Sequence, residues 1–301
     1  MKDQNHILWL QSILKAQGCS QKELAAQLDV TEVALNRWLH QKTVPHPKTI
    51  QKIRELYQRS AFAEELESSF DLEKWQKKFL SVRDPEFVHN FRSRKDLYDD
   101  TLLRLTYHTN RIEGSTLTLK ETQTILFDNS VVPRHTLVEH LEVSNHQLAF
   151  QELMKRLEES EPINVSFVLS LHEILMKGIL EDAGRFRRHS VRIVGARVIP
   201  PNYIKVPEKM EELCEKMEAT QDPVGILCQH ALFEAIHPFS DGNGRIGRLL
   251  LNYQFLRAGY PIIIIHSERR AQYYEALEKA QVDRVYEPLV KFGFEERKMK
   301  E

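Results

Sequence analysis

Cysteine is scarce in this chain of 301 residues, with three in all. Cys19, Cys214 and Cys228 are far apart and form no CxxC or other paired metal spacing. That argues against a disulfide framework or a cysteine-built zinc site and fits a reducing, cytoplasmic compartment. Long apolar runs are missing too. Ile262 to Ile265 falls far short of the roughly 20 residues a membrane span needs, and Met1-Lys2-Asp3-Gln4 opens no apolar segment of signal-peptide length. The expectation is a cytoplasmic protein with no membrane partner. Net charge is nearly absent, 42 Lys and Arg against 43 Asp and Glu, so the chain as a whole is not built to coat a polyanion. No GxxxxGK[ST] phosphate loop occurs. His172-Glu173 lacks the second histidine of HExxH, and His135, His140 and His146 have no matching ligand set, which argues against zinc. Glycine is also sparse, 11 in the chain. Two of them nevertheless flank Asn243, where they weaken any regular element and local stability gives no reason for them.

With 42% hydrophobic and 28% charged residues, the chain is an ordinary soluble one, long enough for a sizeable core and about two domains. Residues 1–60 carry nine Lys and Arg against five Asp and Glu, which makes this basic end the one suited to nucleic acid. Ile7, Leu10, Ile13 and Leu14 form a helical comb that Gly18 stops. Ser20 and Glu23 make a capping box before Leu24, Ala25 and Leu28, and Thr31 caps a further helix with Val33, Ala34, Leu35, Trp38 and Leu39 as its apolar set. The expected domains are residues 1–58, a helical connector over 59–95 and a larger unit over 96–301. Phe62, Leu66, Phe70, Leu72, Trp75 and Phe79 give the connector a packing face, and Pro85 interrupts it. Helical periodicity covers 97–113, 119–127, 136–157, 164–180, 207–218 and 223–236, so the fold class is mainly α. Ser190 to Pro201 breaks the pattern. Val191, Ile193, Val198 and Ile199 alternate around Gly195-Ala196, which predicts a β-hairpin, and a lone ribbon on a helical domain reads as a flap.

The densest chemistry lies in His237-Pro238-Phe239-Ser240-Asp241-Gly242-Asn243-Gly244-Arg245-Ile246-Gly247-Arg248. Its GxGxxG imitates a dinucleotide fingerprint, but no buried strand runs into the first glycine, so that reading fails. Gly242, Asn243 and Gly244 open a helix whose free backbone N–H groups and dipole suit an anion, and phosphate is the natural occupant. Arg245 and Arg248, three residues apart, share a helical face and extend the cradle. Asp241 offers an oxygen ligand for Mg2+, which is usually held by one or two carboxylates plus substrate phosphates. His237 is suited to take a proton from a hydroxyl that attacks phosphorus, while Phe239 turns inward.

These twelve residues match the Fic signature HxFx[DE]GNGRxxR at every fixed position, and the chain resembles the Fic family. The resemblance implies a mostly helical enzyme that transfers AMP from ATP to a Ser, Thr or Tyr hydroxyl of a target protein or of itself. It implies that His237 deprotonates the target, Asp241 holds Mg2+, Gly242 to Gly244 bind phosphate oxygens, and Arg245 and Arg248 hold the outer phosphates. Val191, Ile193, Val198 and Ile199 fall where the family docks its target, and Tyr273 and Tyr274 where it completes the nucleobase pocket. Gln281 stands where relatives often place an asparagine. Thr109-Asn110-Arg111-Ile112-Glu113-Gly114 is similar to the family's inhibitory motif, [ST]xxxE[GN], which implies an ion pair from Glu113 to Arg248 in place of a phosphate. Read physically, Gly114 stops a helix with Glu113 in its last turn, where the macrodipole disfavours a carboxylate by roughly 0.3–1 kcal/mol, and Thr109 lies one turn earlier on the same face. Residues 6–57 resemble a phage-repressor helix-turn-helix, which implies operator DNA as a partner, Thr31, Asn36 and Arg37 as contacts, and pairing into a homodimer. Two other functions stay open: a DNA-binding regulator whose Fic part senses nucleotide or modifies itself, and an enzyme that removes AMP or transfers another phosphate-containing group.

Overall fold

The computed structural model describes residues 5–17, 19–40, 42–50, 52–53, 56, 71–91, 93–128, 130–193 and 195–298. The chain divides into two compact units, Met1–Asp71 and Leu72–Glu301. The expected 58/59 boundary, Gly18, and Phe62, Leu66 and Phe70 lie outside the described residues.

The first unit contains α1 (Asn5–Gln17), α2 (Gln21–Gln27) and α3 (Glu32–Leu39). Ser20 accepts from the Glu23 amide while the Glu23 carboxylate accepts from the Ser20 amide at 2.7 Å, closing the capping box at α2. Thr31 caps α3 through the Ala34 amide. Leu10, Ile13, Leu24, Leu28, Leu35 and Trp38 make one core. Val33, one of the apolar set of this helix, is 63% exposed, because Leu35 and Trp38 set the inward stripe and Val33 falls on the opposite side.

The second unit is helical throughout its regular elements: α4 (Leu72–Leu80), α5 (Pro85–Asn90), α6 (Lys95–Glu113), α7 (Leu119–Asp128), α8 (Leu137–Glu158) and α9 (Val165–Leu175). After these come α10 (Val206–Ala219), α11 (Pro223–Ile236), α12 (Asn243–Arg257), α13 (Arg270–Val282) and α14 (Glu287–Lys298). Pro85 opens α5 rather than merely breaking the connector, since its missing N–H costs nothing at a first helical position. Trp75 and Phe79 of α4 pack edge-on against Phe294 of α14, so this stretch belongs to the second core. The helix expected over 164–180 ends at Leu175, and turns reach Gly178 at φ 73°.

At the centre lie α11 and α12, which are buried on almost every side. Such a helix has no solvent face to display polar residues, so those it carries are paired internally or serve the site. Each fully buried Leu or Phe here contributes about 1.5–3 kcal/mol, which holds the loop between the two helices in one conformation.

The expected β-hairpin is not formed: the described residues of 190–201 contain no strand. A turn is present, with Gly195 at φ 79° and the Ala196 amide on the Ile193 carbonyl at 3.2 Å. No ladder follows because the flanking polar groups go elsewhere. Arg187 takes the His189 and Pro201 carbonyls, and the Arg197 amide donates to Glu278.

Candidate functional site

Between α11 and α12 the chain makes a loop fixed by short-range bonds. His237 ends α11 in a left-handed conformation, φ 50° and ψ 62°, which a non-glycine residue adopts only when its surroundings impose it. Its Nδ1 lies 3.3 Å from the Glu234 carbonyl. A carbonyl can only accept, so Nδ1 carries the proton and Nε2 keeps its lone pair. Burial holds the imidazole below its ordinary pKa, and the ring is a neutral proton acceptor.

Phe239 is fully buried and stacks on His172, with ring centroids 3.7 Å apart and planes 3° from parallel. The Gly184 amide donates to His172 Nδ1 at 2.9 Å, so Nε2 is protonated and donates to the Asp241 carbonyl at 3.0 Å. Burial pushes this histidine down to about 4. The Asn243 side chain closes the loop by accepting from the Phe239 amide and donating to the Phe239 carbonyl. Its amide group is used there, so toward an anion it offers its backbone N–H.

Sequence reasoning missed Arg187. It is 2% exposed, and its guanidinium donates to four carbonyls: His237 at 2.8 Å, His189 at 2.8 Å, Pro201 at 2.6 Å and Ile236 at 3.4 Å. Its own amide donates to the Pro238 carbonyl. One side chain thereby fastens the histidine loop to both ends of the 189–201 segment. Partners that are all backbone leave no trace in a residue pattern.

Gly242, at φ 78°, starts α12, its own amide donates to Asp241 Oδ1 at 2.6 Å, and the amides that follow are the expected cradle. A Cβ on Gly244 would run into Glu113 Oε1 and the Arg248 guanidinium, so the Glu113 carboxylate rests against the cradle itself. Arg248 Nη2 donates to Glu113 Oε1 at 2.6 Å. Its Nε donates to Thr109 Oγ1 at 2.7 Å, and Nη2 also donates to the Thr109 carbonyl at 3.3 Å. Gly114, at φ 109°, ends α6 directly after the acid. Burial works to raise the Glu113 pKa, but the charge and hydrogen bond of Arg248 outweigh it, and the group lies below the ordinary carboxylate value.

Arg245 and Arg248 take different partners. Arg245 is buried, donates to Glu142 of α8 at 2.7 Å and stands 3.7 Å from Asp241 Oδ2. Glu142, another residue without a sequence signal, is raised by burial in spite of that partner. The Asp241 side chain is 60% exposed. Among the described residues no group of three or more His, Cys, Asp or Glu could hold a metal. A single exposed carboxylate beside a helix start, as Asp241 is, suits a cation that completes its shell with phosphate and water, as Mg2+ does.

The residues assigned to the nucleobase differ in their surroundings. Tyr273 is buried, its hydroxyl 2.7 Å from His230 Nε2. Tyr274 is exposed, with its ring 5.3 Å from that of Tyr273. Gln281 donates to the Ala231 carbonyl. Val191, Ile193 and Val198 are half-buried and Ile199 is exposed. In the first unit Thr31, Asn36 and Arg37 are exposed, and the Asn36 amide donates to Gln21 of α2 at 3.2 Å.

Comparison with known proteins agrees with this geometry. Residues 162–255 match the Fic/DOC family and residues 10–62 match a helix-turn-helix family. A protein adenylyltransferase of Caenorhabditis elegans is 33% identical over 217 residues, covering 69% of this chain and 43% of that protein. One of Drosophila erecta is 33% identical over 211 residues, covering 67% of this chain and 40% of that protein. The chain thus spans about two fifths of the length of these curated relatives. A solved structure of a Caenorhabditis elegans Fic protein superposes with a TM-score of 0.62 at 25% identity, covering 95% of this chain and 84% of that one. A Fic-domain signaling protein of Bacteroides thetaiotaomicron shares the fold at a TM-score of 0.63 and 24% identity, over 75% of this chain and 93% of that one. No helix among the described residues is long and apolar enough to cross a membrane. From the HxFx[DE]GNGRxxR loop at the head of a buried helix to the matches over that same stretch, residues 162–255 are a domain of the Fic/DOC family, and a helix-turn-helix module over residues 10–62 precedes it.

Proposed function

We propose that this protein is an ATP-dependent protein adenylyltransferase held off by Glu113. The observation that carries the reading is the Glu113 carboxylate, paired with Arg248 at 2.6 Å and resting against Gly244. An anion-binding helix start already filled by the chain's own anion is a site for phosphate in a closed state.

With Glu113 withdrawn, the α12 amides and Arg248 hold the phosphate oxygens of ATP. The target hydroxyl gives its proton to His237 Nε2 while its oxygen attacks the α-phosphorus. The bond from that phosphorus to the bridging oxygen breaks, pyrophosphate leaves, and AMP stays on the target. The neutral imidazole suits this task because a base must be unprotonated to work near neutrality. Asp241 and the phosphates are the donors that would hold Mg2+, and the bound ion would neutralise phosphate charge. Arg187 keeps His237 and the 189–201 segment at fixed separation, so a target segment docked on that flap meets the base.

The helix-turn-helix unit supplies a second proposed partner, operator DNA, through Thr31, Asn36 and Arg37 at the start and outer face of α3. The test of transfer uses ATP labelled at the α or the γ position with Mg2+ and cell extract. Label on protein from the α position only, lost in His237→Ala, is the expected result. Label from the γ position only would indicate a kinase and sink the reading.

A further inference from the structure

Between Gly184 and Pro207 the chain carries Arg185, Arg187, Arg188, Arg192, Arg197 and Lys205 and not one Asp or Glu, although acids and bases balance over the whole sequence. Two of these cations are already used. Arg187 is buried on four carbonyls, and Arg197 pairs with Glu278 at 2.7 Å and Asp283 at 3.2 Å. Arg185, Arg188, Arg192 and Lys205 are exposed and form no ion pair among the described residues. Four like charges on 21 residues repel one another and offer nothing to the fold, so their use lies in what they meet.

The same segment exposes Ile199 at 88% and Ile204 at 73%. Single exposed apolar residues are ordinary, but two only five positions apart, the second in the 3-10 helix Tyr203–Lys205, among unneutralised cations set a mixed demand: negative charge together with bulky apolar side chains. Arg187 ties the segment to the His237 carbonyl at one end and the Pro201 carbonyl between the two isoleucines. A segment docked here would lie on the stretch that Arg187 fastens to the histidine loop. We propose that the protein segment modified at this site is acidic, with Asp or Glu and a large apolar residue flanking the acceptor hydroxyl. This rests on the transferase reading and names its substrate class. A nucleic-acid backbone would answer the cations and leave both isoleucines without a counterpart, whereas an acidic polypeptide answers both.

The test is binding of fluorescent peptides to the full chain, read by anisotropy. One peptide carries a central Ser between Glu and Ile residues, and its counterpart carries Lys in place of Glu. Exposed ion pairs are individually weak, so three of them predict about a tenfold preference for the Glu peptide at low salt, vanishing at high salt. The double variant Arg188→Glu/Arg192→Glu should reverse the preference while leaving ATP affinity unchanged. Equal binding of the two peptides would overturn the proposal, as would a double variant that loses affinity for duplex DNA and keeps its peptide preference. Peptide binding needs no group transfer. An indifferent peptide result removes the substrate class and leaves the transferase reading, whereas failure of α-labelled ATP to label any protein removes the transferase reading and leaves the docking measurement valid.

Discussion

His237 sits in a left-handed backbone position that costs a non-glycine residue on the order of 1–3 kcal/mol, and Arg187 is among the groups that hold it there. Arg187→Met leaves four carbonyls, one buried and three partly so, without their donor, and we expect a loss of about 2–4 kcal/mol in urea unfolding together with at least a tenfold loss of turnover. A variant as stable as wild type would show that the carbonyls find other partners. Glu234 gives a second prediction at this scale. It is 8% exposed, its Oε1 accepts no hydrogen bond, and burial pushes it up to about 7 against the opposing pull of Arg248. The unfolded chain loses this proton near 4.5, so the stability of the neutral carboxyl is fully present below that value and drains away as pH climbs toward 7, a change of roughly 3 kcal/mol. Glu234→Gln should therefore gain on wild type when unfolding is compared near pH 5 and near pH 8, and a constant difference would count against the shift. The motif residues are legible in sequence because they are contiguous and chemically unusual. Arg187, Glu142 and Glu234 are not, since each owes its surroundings to segments tens of residues away.

At the level of elements, the contact that matters joins the end of α6 to the first turns of α12, residues 113 and 248. Periodicity and capping placed both helices, and Gly114 marked where α6 stops. The pairing itself was implied by resemblance alone, because sequence spacing says nothing about which helix lies across which. Thr109 holds the same arginine through its hydroxyl. Thr109→Val removes one charge-assisted hydrogen bond, and we expect a roughly five- to thirtyfold increase in self-labelling with ATP, less than that of Glu113→Gly. A valine variant as silent as wild type would mean the hydroxyl does not hold the closed state. The flap shows the limit of pattern reading. Alternation around Gly195-Ala196 signalled extended chain with a turn, and the turn is there. A ladder did not follow, because Arg187 and Glu278 supply the bonds that a second strand would have supplied.

For the whole molecule, each unit has a core of its own, and calorimetry of the intact chain should resolve two transitions. A single transition with equal calorimetric and van't Hoff enthalpies would deny that independence. Acid should weaken the larger unit. Burial pushes His146 and His230 down to about 3 and His172 to about 4. The unfolded chain takes up these protons near 6.5 and the folded one does not, so stability falls as pH drops below 6.5 and keeps falling to about 3. Urea midpoints near pH 7 and near pH 4.5 measure this, and equal midpoints would contradict it. The mainly α class was legible because helical periodicity runs through most of the chain, whereas the burial of α11 and α12 on almost every side was not. The central claim is that a carboxylate occupies the place of a phosphate, and the direct test is the rate at which the full chain incorporates label from α-labelled ATP with Mg2+, wild type beside Glu113→Gly. The account predicts a slow wild type and a variant faster by at least an order of magnitude, whereas a variant that labels no faster would contradict it.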